Sequence, residues 1–215
     1  MMRSRFDEQL FELNRKIIEM GSLCEEEINS AVKALVEGDC ELAQKVIDEG
    51  SNIDHVEREI ETICVKLLLH QQPVAKDLRM ISAALKLITD MERIGDQAED
   101  IAEIVTYLKG RTTDHMTMIE EMAKEAVGMV TSSVDSYVKK DVLLARQVIN
   151  HDDVVDDYFS KVKNGIISLI RKNPEESELA LDLLMIAKYF ERIGDHATNI
   201  ADWVVYSVTG KHEEE

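Results

Sequence analysis

The stretch Glu92-Arg93-Ile94-Gly95-Asp96 occurs twice in this chain, because residues 191–195 carry the same five residues in the same order. The two copies lie 99 positions apart, each near the end of one half of a chain of 215 residues. The match continues beyond both copies, for example at Ala98 and Ala197. We interpret the chain as a tandem duplication. The repeat decides the fold, since the structure adopted by the first half is expected again in the second.

The composition favours helices over strands. The chain has two prolines and nine glycines, and aromatic residues make up 5%. Few helix-breaking residues and many straight-chain ones are typical of long helices. Because long helices joined by short turns pack antiparallel, we expect an all-α fold of two tandem three-helix bundles, over residues 1–110 and 111–215. The six helices are expected at residues 4–37, 40–71 (with a break at 50–52 left open), 74–108, 115–139, 142–171 and 175–208.

The net charge of −18 argues against nucleic acid as a partner, because little basic surface is available to neutralise phosphates. An anionic membrane surface would repel the chain for the same reason. No run approaches the roughly 18 apolar residues of a membrane span, so membrane insertion is not expected. The three cysteines have no paired spacing, which is typical of a reducing compartment. We expect a cytoplasmic protein.

Each repeated string places a glutamate and an aspartate four residues apart, which brings both carboxylates to one face of a helix. A helical wheel extends this face to further acidic residues nearby. We call the face the acidic stripe, and in the first half it consists of Glu92, Asp96, Glu99, Asp100 and Glu103. In the second half it consists of Glu191, Asp195, Asn199 (in the place of Asp100) and Asp202.

The spacing leaves two interpretations of the acidic stripe open. If the stripe faces water, like charges four residues apart cost only a few tenths of a kcal/mol and need no cation. If it faces another helix, two carboxylates about 5.5 Å apart repel by roughly 3 kcal/mol at an effective dielectric of 20. The group then needs a cation, protonation or a basic partner. Asp54 and Asp156, which align between the second helices of the halves, would add oxygen ligands suited to hard or borderline cations.

Gly95 and Gly194 lie inside these predicted helices, where glycine costs about 1 kcal/mol relative to alanine. Glycine at both positions predicts the close approach of another helix or of a ligand. The alternative is that the second glycine was simply inherited through the duplication. No recognisable catalytic motif accompanies them. The sequence lacks Glu-x-x-His, H-E-x-x-H, G-x-S-x-G and phosphate-binding glycine loops. An oxygen-activating metalloenzyme is therefore weakly supported, and we expect a protein without enzymatic activity.

The two E-R-I-G-D helices, the twofold repeat and the segment at residues 71–79 (QQPVAKDLR) resemble the PhoU family of phosphate-transport accessory regulators. The resemblance covers essentially the whole chain. It implies two three-helix bundles related by pseudo-twofold symmetry, with iron or zinc bound through the E-x-x-x-D carboxylates. Asp100 stands where the second half, and often the family, has Asn, so the ligand number of the first site is expected to differ. The candidate metal-site residues are Glu92, Asp96, Asp100, Glu191, Asp195, Asn199, Asp54 and Asp156.

The resemblance also implies a function. It is that of a cytoplasmic negative regulator of phosphate uptake and of phosphate-starvation signalling. The implied partners are the ATPase of the phosphate ABC transporter and the phosphate-sensing histidine kinase, and we further expect that the chain can form a homodimer. The alternative is a metal-independent helical interaction module, whose acidic stripes bind a basic partner surface directly.

Overall fold

A computed structural model describes residues 2–70, 74–111 and 116–213. The helices are α1 (Met2–Glu37), α2 (Cys40–Glu49), α3 (Ser51–His70), α4 (Ala75–Leu108), α5 (Met116–Lys139), α6 (Val142–Lys172) and α7 (Ser177–Thr209), with a short 3-10 turn at Pro174–Glu176. These residues include no strand, so the all-α prediction is confirmed. The predicted end of the second helix at residue 71 and the predicted start of the fourth at residue 115 lie outside the described residues. No described helix has both the length and the apolar character needed to cross a membrane.

Both halves begin their second helix in the same way. Asp39 precedes α2 and Asp141 precedes α6, and each carboxylate accepts two backbone N–H bonds of 3.0–3.1 Å from the first turn. The residues before them, Gly38 and Lys140, adopt φ of 68° and 54°, which ends the preceding helix. Side-chain caps of this kind stabilise a helix start by about 1 kcal/mol. Both halves therefore use the same aspartate cap at this helix start, as expected of a duplication.

The two halves pack on each other through their first and last helices. The most extensive interhelical contact joins α4 to α7, which carry the repeated strings, and α1 packs on α5. The second helices, α2–α3 in one half and α6 in the other, pack on the outside of this central layer against helices of their own half. One buried apolar cluster runs through both halves. The predicted pair of three-helix bundles is therefore confirmed, and the two bundles share a single core.

The halves differ in their second helix. Residues 40–70 form two helices that meet at Gly50, whereas α6 is continuous over the corresponding stretch. The break that the sequence left open is thus present. The backbone at Gly50 is itself helical, with φ −54° and ψ −31°, so the break is a local change in hydrogen bonding rather than a turn.

The glycine of each repeated string is required by a close helix contact. A Cβ built on Gly95 would lie 2.8 Å from Ile53 Cδ1 on α3. A Cβ built on Gly194 would lie 3.4 Å from Val155 Cγ1 and 3.1 Å from Asp152 Oδ1 on α6. Ile53 and Val155 occupy the same place in the two halves. The close approach predicted from the two helical glycines is therefore confirmed.

Replacing Gly95 by Ala is expected to destabilise the fold by about 1–2 kcal/mol, because overpacking against the fully buried Ile53 exceeds the gain in helix propensity. Gly128→Ala is the matched control. Gly128 is exposed inside α5 with no described atom within 4 Å of its Cβ position, so this change is expected to stabilise by up to about 1 kcal/mol. Urea unfolding followed by circular dichroism measures both. Equal stabilisation by the two changes would contradict the close packing at Gly95.

Candidate metal centres

Carboxylates from four helices of the first half converge beside the repeated string of α4. We call them the first cluster, which consists of Glu27 (α1), Glu49 (α2), Asp54 and Glu57 (α3), and Glu92, Asp96 and Glu99 (α4). Burial, followed by repulsion from other members of the cluster, raises the pKa of Glu57, Glu92 and Glu99. Asp54 is one of the charges that acts on all three. The predicted residues Glu92, Asp96 and Asp54 are thus brought together, and the first acidic stripe faces another helix.

Glu99 explains why residue 50 is a glycine. Its carboxylate lies directly over α2–α3, with Glu99 Oε1 1.3 Å and Glu99 Cδ 2.2 Å from the position that a Cβ on Gly50 would occupy. No side chain can occupy position 50 while Glu99 keeps this conformation. The Glu99 carboxylate therefore occupies the space that a side chain at position 50 would otherwise fill.

Glu27 is the most deeply buried member of the first cluster. The residue is 6% exposed, and its Oε2 atom is buried without a hydrogen-bond partner among the described residues. The same atom lies 3.5 Å from the Cβ position of Gly95. Burial, together with the charges of Glu99, Glu49 and Asp54, raises the pKa of Glu27 to about 8. A buried, unpaired carboxylate costs free energy unless a proton or a cation compensates it.

Among the described residues, basic side chains pair with the first cluster at its edge. Arg93 lies 3.0 Å from Asp96 and 3.4 Å from Glu92, and Arg58 lies 3.4 Å from Asp54. These pairs are partly exposed, with 42% of the Asp96 side chain accessible to solvent. Exposed pairs contribute at most about 1 kcal/mol, so they leave the carboxyl groups inside the cluster largely without basic compensation.

The second half places fewer carboxylates beside its repeated string. The second cluster consists of Asp152, Asp153 and Asp156 on α6 and Glu191 and Asp195 on α7. The pKa of Asp152 is raised to about 6, mainly by burial and further by the negative charges of Asp195 and Asp156. The pKa of Asp195 is also raised, mainly by burial and further by the negative charge of Glu191. The predicted residues Asp156, Glu191 and Asp195 are therefore also brought together.

Two further candidate residues contact the other half of the molecule. Asn199 donates from Nδ2 to Asp90 Oδ1 at 3.3 Å, and His196 Nδ1 lies 2.9 Å from the same oxygen. Tyr189, which aligns with Asp90, lies close to Asp100, which aligns with Asn199, and after burial the Asp100 charge raises the pKa of Tyr189. The contacts are thus repeated across the pseudo-twofold axis. Asp100 and Asn199 join α4 to α7, and their assignment as metal ligands stays a prediction.

The far end of the second acidic stripe has a different role. Asp202 accepts a hydrogen bond from the backbone N–H of Glu213 at 2.9 Å and pairs with the ring of His212. Arg146 on α6 also pairs with Glu213, at 2.9 Å. Asp202 therefore attaches the residues that follow α7 to the body of the protein.

The clusters include residues that the sequence did not single out, among them Asp152, Glu27 and Glu49. Asp152 aligns with Gly50, so comparison of the halves could have found it. Glu27 lies in the apolar face of α1 between the buried residues Cys24 and Ile28. A charged residue at an apolar position of a helical wheel is the signal that was available. Glu49 carries no comparable signal, because it is itself exposed and follows the exposed residue Asp48.

The chemistry of these groups suits a cation, although their present arrangement does not close around one. No three Asp, Glu, His or Cys side chains among the described residues lie close enough together to hold a metal ion. Two features fit a bound cation: the unpaired, buried oxygen of Glu27 and the Glu99 carboxylate held in the space over Gly50. Sites made of carboxylate oxygens suit hard or borderline cations. Metal binding stays a prediction.

Replacing Glu27 by Gln is expected to stabilise the chelator-treated protein at pH 8 by about 2–4 kcal/mol, because folding then no longer has to bury a carboxyl group that the unfolded state ionises. The pKa of Glu27, about 8, lies above the ordinary value of 4.5. Between these values the folded state keeps a proton that the unfolded state has released, so stability falls as the pH rises. The difference between the wild type and the variant should therefore be small at pH 5 and grow towards pH 8.

Urea unfolding at pH 5, 6.5 and 8 measures this difference. Glu26→Gln is the control, because Glu26 is the exposed neighbour and should change stability by less than about 0.5 kcal/mol. A gain for Glu27→Gln that does not vary with pH would contradict the titration of a buried Glu27.

Comparison with known proteins places this architecture in a family. The PhoU domain family model matches residues 17–105 and 119–204, one segment in each half. A relative from Clostridium acetobutylicum, described as a phosphate-specific transport system accessory protein PhoU homolog, is 34% identical over 213 residues. The match covers 98% of this chain and 97% of the relative. A Pseudomonas aeruginosa protein of the same description is 32% identical over 208 residues, covering 96% of this chain and 86% of that protein.

Solved structures agree with the sequence matches. The crystal structure of PhoU from Pseudomonas aeruginosa has a TM-score of 0.91 at 32% identity, covering 96% of this chain and 100% of that one. The phosphate transport system regulatory protein PhoU from Streptococcus pneumoniae has a TM-score of 0.87 at 26% identity, covering 96% of this chain and 98% of that one. The resemblance carried by the repeated strings is confirmed: this chain belongs to the PhoU family.

Proposed function

We propose that this protein is an accessory regulator of phosphate-specific transport, which represses phosphate uptake and phosphate-starvation signalling when phosphate is plentiful. The observation that carries the proposal is the match over nearly the full length of relatives described as accessory proteins of phosphate-specific transport. A partial match could reflect a shared module, whereas this match includes both halves and the interface between them. The proposed role is regulatory and non-enzymatic.

The proposed partners are the ATPase of the phosphate ABC transporter and the phosphate-sensing histidine kinase, between which the protein acts as a cytoplasmic adaptor. A second copy of the chain is a further proposed partner. The net charge of −18 supports partners with basic surfaces, because complementary charge speeds association and restricts the choice of partner.

Metal ions on the two carboxylate clusters are the second part of the proposal, with iron or zinc as the expected elements. Glu92, Asp96 and Asp54 would hold the ion in the first half, and Glu191, Asp195 and Asp156 would hold it in the second. Bound cations would neutralise the clusters and connect α4 to α3 and α7 to α6. The buried, unpaired oxygen of Glu27 supports this proposal, because such a group needs a positive partner.

A metal-independent interaction module is the second candidate function. Its support is that Arg93 and Arg58 already pair with carboxylates of the first cluster, and that the described residues hold no preformed group of three ligands. In this case the acidic faces bind basic side chains of a partner protein directly.

Deletion of the gene in the native host is expected to raise transcription from phosphate-starvation promoters in high phosphate, to the level of starved wild-type cells. Loss of a repressor leaves the kinase active whatever the phosphate supply. Quantitative transcript measurement tests this, and a plasmid-borne wild-type copy is the control that should restore repression. Normal repression in the deletion strain would overturn the regulatory proposal.

Protein purified without a tag is expected to contain at least one equivalent of iron or zinc, and the double variant Asp96→Ala/Asp195→Ala is expected to lose most of it. Elemental analysis by mass spectrometry measures both. Glu120→Gln/Asp135→Asn is the matched control, because it removes two charges on α5 that lie outside both clusters. Less than one equivalent, unchanged in the cluster variant, would favour the metal-independent module.

A further inference from the structure

The molecule has two clefts that occupy the same place in the two halves, each between the first and second helices. The cleft of the first half has a volume of about 220 Å³, and that of the second half has about 240 Å³. Position 30 of the first cleft matches position 132 of the second, and both are serine. Val46 likewise matches Val148. The two clefts can therefore be compared with each other, because equivalent backbone positions carry different side chains in the two halves.

The chemistry of the two clefts differs. The first is acidic, being lined by Glu26, Glu27 and Glu49 with Lys45 at its edge. At the matching positions the second cleft has Gly128, Met129, His151 and Gln147. Met129, which takes the place of Glu27, is buried and apolar. The first half therefore adds a carboxylate from α1 at a position where the second half has a thioether.

A second difference concerns the carboxylate beside the glycine of the repeated string. In the second half Asp152 of α6 supplies it, with Oδ1 3.1 Å from the Cβ position of Gly194. The residue that matches Asp152 is Gly50, which has no side chain. In the first half the space over Gly50 holds the carboxylate of Glu99 on α4, and the residue that matches Glu99 is Thr198. The carboxylate at this place therefore comes from the second helix in the second half (Asp152) and from the last helix in the first half (Glu99).

A third difference is in the compensating charge. Lys188 forms an ion pair with Glu191 in the second half. The residue that matches Lys188 is Thr89, whose hydroxyl donates to the backbone of its own helix at 3.2 Å. Glu92 therefore lacks the lysine that its counterpart has. The first cluster has more carboxylates than the second, and its basic partners Arg93, Arg58 and Lys45 pair with it at its exposed edge.

We propose that the first half binds its divalent cation with a ligand set of its own, in which Glu99 replaces the carboxylate of Asp152 and Glu27 adds an oxygen from α1. The inference rests on the metal-binding part of the proposed function and deepens it. A second observation beyond the acidic residues supports it: Glu27 is more than nine-tenths buried, and its oxygen has no partner among the described residues. The first site consequently connects three helices, α1, α3 and α4, whereas the second connects α6 and α7.

The test uses the full chain, stripped of metal and titrated with Mn²⁺ by isothermal titration calorimetry. The parent is Asp195→Ala, which removes second-half binding so that the remaining sites belong to the first half. In this background Glu99→Gln and Glu27→Gln are each expected to weaken Mn²⁺ binding at least about 10-fold, as loss of a ligand does. Glu103→Gln, an exposed position one turn further along α4, is the matched control and should change affinity less than about 2-fold.

Two further variants separate a ligand role from damage to the fold. Glu99→Thr should lose affinity, and the double change Gly50→Asp/Glu99→Thr should regain it, because it returns the carboxylate to the arrangement of the second half. Glu27→Gln is expected to melt at a higher temperature than the parent without metal and to gain less on adding Mn²⁺. This combination is not expected of a residue with a merely structural role.

The outcomes distinguish the inference from the proposed function. If Glu99→Gln and Glu27→Gln bind Mn²⁺ as tightly as Glu103→Gln while Asp96→Ala loses it, the separate ligand set is wrong and metal binding stands. If Asp96→Ala also binds as the parent does, metal binding at this cluster is wrong, and the inference fails with it.

Discussion

The packing of each second helix against the glycine of a repeated string is the contact on which the rest of this structure depends. Ile53 and Val155 reach Gly95 and Gly194 so closely that an added Cβ at either glycine would crowd its neighbours. The same approach brings the carboxylates of adjacent helices to distances at which each raises the pKa of the next. Apolar burial supplies the free energy that holds these charges together. The acidic clusters are therefore a consequence of close packing.

The two halves have kept this packing and changed the charges around it. In the first half a glycine at position 50 accommodates Glu99, and in the second Asp152 takes the matching position. Glu27 reduces the stability of the metal-free protein at neutral pH, because the folded state keeps a proton on it that the unfolded state releases, whereas Met129 at the same place adds an apolar contact. A destabilising group that persists in a marginally stable fold is most simply explained by function. The two halves therefore carry two versions of one site, and the first is the more acidic.

The interface between the halves uses polar residues that a single half could not satisfy. Asp90 of the first half pairs with His196 and Asn199 of the second, and Tyr189 of the second half lies close to Asp100 of the first. The helices α4 and α7 carry both this interface and carboxylates of the two clusters. The geometry thus connects the proposed metal sites to the relative position of the two bundles.

The sequence by itself determined the helices, most of their ends, the duplication and the faces of Glu92, Asp96, Glu191 and Asp195, because these depend on local periodicity, caps and spacing along one helix. It also identified the need for close approach at the paired glycines. Tertiary structure alone decided which carboxylates meet, since a helical wheel shows the face of a residue but not the element opposite it. The buried Glu27, the Glu99 carboxylate over Gly50, and the use of Asp100 and Asn199 between the halves all depend on contacts between residues far apart in the chain. Those contacts are set by the way the helices pack, which no local pattern records.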